Sequence, residues 1–247
     1  GGMSTLMFFL CLAMTKEHYV KEVDKSHNLR GIYQELLIII NDFNWRCIFS
    51  LNIASLIAGI LKTGGAIYFV SYYMKRPDLV STVLVIILCT RFVGAMSTTL
   101  LYKNFDRVLA YKLTLVIQAV ILTALFAVPA ESVALICSVI CLIHFIDSSS
   151  APLQWSLLSD IIDNVEKKSN HSLSGLVFST NLFAIKIGIA VGGAIIGWLL
   201  TFGGYVGNAA MQTDPAIMTV RLIFTIIPAV FVLIMFFIMQ RYRSYDV

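Results

Sequence analysis

Six stretches of this chain, near residues 46–74, 79–102, 109–130, 132–158, 172–202 and 217–240, are almost uninterrupted runs of apolar side chains. No other feature constrains the fold as tightly. A bilayer's hydrocarbon core is about 30 Å thick and takes about 20 mostly apolar residues to cross as a helix. Each run meets that length, and none alternates polar with apolar as a barrel strand does. Charged residues make up only 13% of the chain, about half the share that coats a soluble domain. Soluble, disordered, collagenous and coiled-coil classes are thereby excluded. The expected fold is all-α and integral to a membrane.

A seventh apolar piece, residues 2–14, is too short to cross. No basic residue precedes it and no small-residue cleavage site follows it, so it reads as the end of a truncated transmembrane helix. Residues 15–45 carry mixed charge and are expected to form a central cytoplasmic linker. Within them Gly31–Ile40 could be a short amphipathic helix at the membrane surface, but a plain linker is the preferred reading. Residues 46–247 then form a six-helix bundle.

Lys and Arg set the orientation. One set of connections holds Lys16, Lys21, Lys25, Arg30, Lys103, Arg107, Lys112, Lys167, Lys168, Arg241 and Arg243, whereas the alternate set holds Lys75 and Arg76. The basic set is expected to be cytoplasmic, which puts the C-terminus inside a cell (inner or plasma) membrane. Cys11, Cys47, Cys89, Cys137 and Cys141 sit in or beside apolar runs with no metal-ligand spacing, and read as inert thiols.

Ionisable groups inside a span are costly and normally face a bundle interior or a watery cavity. Five lie well inside the runs: Lys62, Arg91, His144, Asp147 and Lys186. His144 and Asp147 are three apart on one helical face and could bond each other. Among these five, permanent cations outnumber carboxylates three to one. Either further carboxylates come from elsewhere or the cavity receives an anion, and both readings imply a pathway. Ser179 shares a face with Lys186. Gly188 with Gly192, and Gly193 with Gly197, form small-xxx-small pairs that permit close helix approach. Pro152 is expected to break its helix, with Ser148, Ser149 and Ser150 helping to satisfy the freed carbonyls. Gln154 and Trp155 follow, an amide and a stacking ring.

Asp160, Asp163 and Glu166 recur every three residues at the end of the fourth run. In a basic rim, such carboxylates suit a latch between helix ends better than acid–base catalysis. Their setting, SDIIDNVEKKSNHSLSGLVFSTNLFAIKIGIAVGGAIIGWLLTFGGY over residues 159–205, resembles the glycoside–pentoside–hexuronide:cation symporters, the melibiose-permease relatives of the major facilitator superfamily. That family carries D-x-x-D-Y-G-E between its tenth and eleventh helices, then an Arg, then a Lys within helix eleven. Asp160, Asp163, Glu166 and Lys186 match. Thr15-Lys16-Glu17, residues 41–46 (NDFNWR), Gly64-Gly65-Ala66 and Pro152-Leu153-Gln154-Trp155 also fit, so the resemblance covers nearly the whole chain. Asn164 and Val165 stand where the family has Tyr-Gly, Ser172 where it has the Arg, and Lys62 is displaced by one from a basic position before the glycine pair.

The resemblance implies the C-terminal six-helix half of a facilitator, preceded by the end of one further helix. It implies secondary active transport of a sugar or glycoside, coupled to sodium or protons by alternating access. Lys186, Asn181, Trp155, Asp147, Arg91 and Lys62 would line the sugar cavity, and Asp160, Asp163 and Glu166 would form its cytoplasmic gate. Arg91 and Lys62 leave room for an anionic sugar such as a uronide. The implied partners are the lipid bilayer, the sugar and an N-terminal six-helix half. No cofactor, metal centre or nucleic acid is expected, and the coupling cation would bind mainly in the N-terminal half. No enzyme is expected, since no nucleophile–base arrangement, metal cluster or phosphate loop is present in the sequence. The competing expectation is a truncated, non-transporting fragment, or a half that works only with a partner.

Overall fold

Asp42 begins the first long helix by accepting a hydrogen bond from the Trp45 backbone at 3.0 Å, and Asp106 begins a later one by accepting from Leu109 at 2.7 Å. Both use a short acidic side chain to satisfy a backbone donor that the first turn leaves open. The protein is seen here as a computed structural model, which describes residues 2–14, 29–169, 173–207, 209 and 211–242.

The helices are α1 (Gly2–Met14), α2 (Leu29–Asn41), α3 (Phe43–Tyr68), α4 (Val80–Tyr102), α5 (Arg107–Phe126), α6 (Val133–Ser169), α7 (Ser174–Phe202), α8 (Asp214–Phe224) and α9 (Ile226–Arg241). Six segments are long and apolar enough to cross a membrane: Phe43–Tyr73, Pro77–Tyr102, Arg107–Phe126, Val133–Lys167, Ser174–Phe202 and Asp214–Arg241. These are the six expected runs, with ends moved by a few residues or, for α6, extended through the acidic cluster.

Two units divide the described chain, Gly1–Glu35 and Leu36–Val247. In the first, α1 is an apolar helix with no buried residue; at about 1.5 Å per residue it is shorter than a bilayer core. Residues 15–28 of the expected linker lie outside the described residues, as do the side chains of Arg30 and Lys168 and all of Arg243 and Ser172. The stretch expected as plain linker near Gly31–Ile40 is helical, as part of α2. Its run of Glu, Leu and Ile has good helix propensity and no proline.

In the second unit α3 packs chiefly against α7 and α9, α4 against α6, and α5 against α9 and α6. The α3–α7 contact depends on missing side chains. A Cβ on Gly188 would lie 2.6 Å from Leu56 Cβ, and one on Gly192 would lie 2.9 Å from Ile60 Cβ. The companion pair Gly193 and Gly197 faces open space instead, because that side of α7 has no helix against it among the described residues.

Among the described residues the first and last spans are each interrupted. After Tyr68 the first span widens into a π turn, Phe69–Tyr73, and Lys75 then stops it with φ +54°, a left-handed conformation uncommon outside glycine. Between α8 and α9, Thr225 leaves helical geometry while its hydroxyl donates to the Arg221 carbonyl at 2.6 Å. Pro228 lies in the first turn of α9, where its missing N–H costs least. Pro152, in contrast, does not break α6, which continues through it as one helix. The neighbouring Thr98 hydroxyl donates to the Ser149 carbonyl at 2.9 Å, and the Ser150 hydroxyl donates to the Asp147 carbonyl at 3.0 Å. These two bonds fall on the carbonyls on either side of Ser148, whose own carbonyl loses its partner at Pro152.

Candidate functional site

Lys62 is 1% exposed, and a buried ammonium of that kind needs a close counter-charge. Asp147 provides it from α6: its Oδ1 is 2.6 Å from Lys62 Nζ. The ammonium also donates to Gln118 Oε1 of α5 at 3.4 Å. The second carboxylate oxygen, Oδ2, faces Arg91 of α4 at 3.8 Å, and the Arg91 side chain is 39% exposed. Four helices therefore meet around one carboxylate and two cations. The pairing expected between His144 and Asp147 does not form. His144 is buried, and neither ring nitrogen has a hydrogen-bond partner among the described residues. Asp147 instead meets the Lys62 ammonium and the Arg91 guanidinium across the bundle.

A second set of polar side chains lies on the α3, α5, α6 and α7 faces. The Tyr111 hydroxyl donates to Gln154 Oε1 at 3.2 Å, Gln154 Nε2 donates to Asn52 Oδ1 at 2.5 Å, and Asn52 Nδ2 donates to Asn181 Oδ1. Gln154 and Asn52 each give and receive, Asn181 receives, and the chain of bonds links four helices. Asn181 is thereby buried and held on α3.

Both sets border one cavity of about 190 Å³, whose polar wall includes Ser55, Arg91, Tyr111, Gln118, Asp147 and Gln154, with Trp155 beside them. Pockets that enclose a drug-sized ligand run to about 300–1,000 Å³, so this one is a wall and part of a floor. Of the residues expected there, Arg91, Asp147 and Trp155 line it, and Trp155 remains 47% exposed. Lys62 and Asn181 sit behind the wall and support it. Lys186 is exposed on α7 and is not on the cavity wall, although its neighbour Ile185 is. Ser179 is exposed too, its hydroxyl turned back to the Leu176 carbonyl at 2.9 Å. Asn52, Gln118 and Tyr111 were not singled out from the sequence. The first two are amides within apolar runs, and that polarity was the available signal.

The three acidic residues at the end of α6 do three different things. Asp160 pairs with Arg107 of α5 at 3.2 Å, and Arg107 also bonds Ser156. Asp163 is exposed. Glu166 Oε1 accepts from the Leu173 and Ser174 backbone, each at 2.9 Å. It caps α7, whose own preceding residue, Leu173, has no side chain able to do so. Asn164, where the resembled family has Tyr, is left with an unpartnered buried amide nitrogen among the described residues.

At the opposite end a further cation, half-buried, is held between two rings. The Arg221 guanidinium lies 4.7 Å from the Tyr73 ring centre and 4.5 Å from that of Phe126, and it donates to the Phe126 carbonyl at 2.5 Å. Tyr73 in turn donates to the Val128 carbonyl at 2.6 Å. Tyr205 bonds Tyr72 at 2.8 Å; burial first, and that bond second, push its phenol up to about 12.

A sequence model of the family described as MFS/sugar transport protein matches residues 2–245. Among curated relatives, a protein of Escherichia coli (strain K12) named for glycoside/cation symport, YagG, is 31% identical over 246 residues, covering 100% of this chain and 53% of its own length. The inner membrane symporter YicJ of the same organism is 30% identical over 254 residues, covering 99% of this chain and 54% of itself. The chain thus spans about half the length of these relatives.

Proposed function

For this chain, which belongs to the MFS/sugar transport protein family, we propose the role of a C-terminal half in a sugar or glycoside:cation symporter that works by alternating access. It is a multi-pass membrane protein and a transporter rather than an enzyme. The observation that carries the finer reading is the polar cavity of α3, α4, α5 and α6. Charges and amides within apolar spans are costly unless a solute or water meets them. Here they converge on a single wall beside an exposed indole, the pairing of hydrogen-bonding groups and flat ring that suits a sugar.

The cavity's small volume supports the dependence of this half on a second one. Substrate sites of facilitators lie between two halves near the membrane midplane, and the second half would close over Trp155, Arg91 and Asp147. The coupling cation would bind mainly there. In the orientation set by Lys and Arg, the ends carrying Arg107, Asp160, Asp163 and Glu166 face the cytoplasm, as does the C-terminus, in a cell membrane. Arg107–Asp160 would act as part of the gate between α5 and α6. Exposed Lys186 would project toward the second half and complete the sugar site from α7.

Uptake of labelled sugars and glycosides tests this, with this chain as part of the full-length transporter in proteoliposomes. The expected result is accumulation that collapses when the sodium or proton gradient is dissipated. Uptake of no sugar under any gradient would overturn it.

A further inference from the structure

We infer that the solute carries an anionic group, a carboxylate or sulfonate, and that Arg91 of α4 is the residue that selects it. This deepens the sugar-transport reading and rests on it.

The two cations near Asp147 are not equivalent. Lys62 is 1% exposed, pairs with Asp147 at 2.6 Å, donates to Gln118, and does not line the cavity. Its charge is cancelled inside the protein. Arg91 does line the cavity, with 39% of its side chain exposed, and its 3.8 Å approach to Asp147 is too long for a hydrogen bond. One carboxylate faces two cations, so the cluster has a net positive charge, and among the described residues no other acidic side chain lines this chain's wall of the cavity.

The planar fork of Arg91 presents five donors in a geometry that matches a carboxylate or sulfonate. The guanidinium lies on the same wall as Tyr111, Gln154 and Trp155. A sugar ring stacked on Trp155, with hydroxyls toward the amides, would place an acidic substituent on Arg91. Asp147 contributes selectivity of the opposite sign, holding Arg91 in place while discouraging an anion from the Lys62 side.

The test is a paired uptake assay with full-length transporter in proteoliposomes, using matched probes: hexose with hexuronate, and methyl glucoside with methyl glucuronide. Wild type is expected to prefer the anionic member of a pair. Arg91→Gln should lower the anionic-to-neutral ratio of kcat/KM by about 10–100-fold, the range for loss of a charge-assisted bond, and Arg91→Lys should recover part of it. Preference for the neutral members by wild type would overturn the inference while leaving sugar transport standing. So would an unchanged ratio in Arg91→Gln present in the membrane at wild-type amounts. Uptake of neither member of any pair would overturn the transport reading itself.

Discussion

Arg91 and Arg221 are the same residue in the same kind of place, an apolar helix, yet the protein treats them differently. Arg221 is closed in by two rings and a backbone carbonyl. These satisfy a guanidinium without any acidic partner, because an aromatic face and a carbonyl oxygen are both negative. The result ties α8 to the outer turns of α3 and α5. Arg91 has one distant carboxylate and an open cavity. A cation that is fully satisfied within its own bundle contributes to stability, whereas one left partly unsatisfied on a cavity wall is available to a solute. The contrast separates structural polarity from functional polarity better than residue type does.

That contrast can be broken most forcefully at Asp147. Asp147→Asn should destabilise the protein by about 3–5 kcal/mol, because it leaves the Lys62 ammonium buried without a counter-charge. Thermal unfolding in detergent would show it, and the double change Lys62→Met with Asp147→Leu should recover most of the loss. If the single variant unfolds like wild type, the pair is not the support claimed for it. At Arg221, replacement by Met should lower stability by about 2–3 kcal/mol through two lost ring contacts and a lost charge-assisted bond. It should leave the ratio of anionic to neutral uptake unchanged, and a shift in that ratio would erase the distinction from Arg91. Asn52→Leu should cost about 1–3 kcal/mol, since Gln154 and Asn181 both lose a partner. Denaturant melts read alongside sugar affinity would tell support from contact. The smallest effect is expected at Glu166→Gln. A neutral amide still accepts from the α7 N-terminus, so only about 0.5–1 kcal/mol should disappear, measurable as faster hydrogen exchange in the first turn of α7.

The division between what was legible in sequence and what was not follows the range of each interaction. Spans were legible because hydropathy is a local sum over about 20 residues, and the buried charges stood out against it. Their pairings were not. Lys62 and Asp147 are 85 positions apart, and only the packing of α3 against its neighbours brings them together. The local rule that places His144 over Asp147 was overruled by charges it could not see. Pro152 gave a similar lesson: a proline reads locally as a break, yet α6 runs through it in the packed bundle. Asn181 was legible as a polar group but not as one already bonded. Arg221 lay at a span's edge, where a basic residue reads as a loop marker, and nothing in its neighbours' order announced the Tyr73–Phe126 sandwich.

Thiol accessibility tests the central claim, that solute meets the Arg91 region and not the Arg221 region. In full-length transporter whose native cysteines, including Cys11, Cys47, Cys89, Cys137 and Cys141, have been replaced, single cysteines would be placed at Ser148 on the cavity wall and at Thr225, buried beside Arg221. Ser148→Cys should react with a hydrophilic methanethiosulfonate reagent and be slowed at least about tenfold by saturating transported sugar, while Thr225→Cys should react little and be indifferent to sugar. An unreactive or unprotected Ser148→Cys, or sugar protection at Thr225→Cys, would contradict the account.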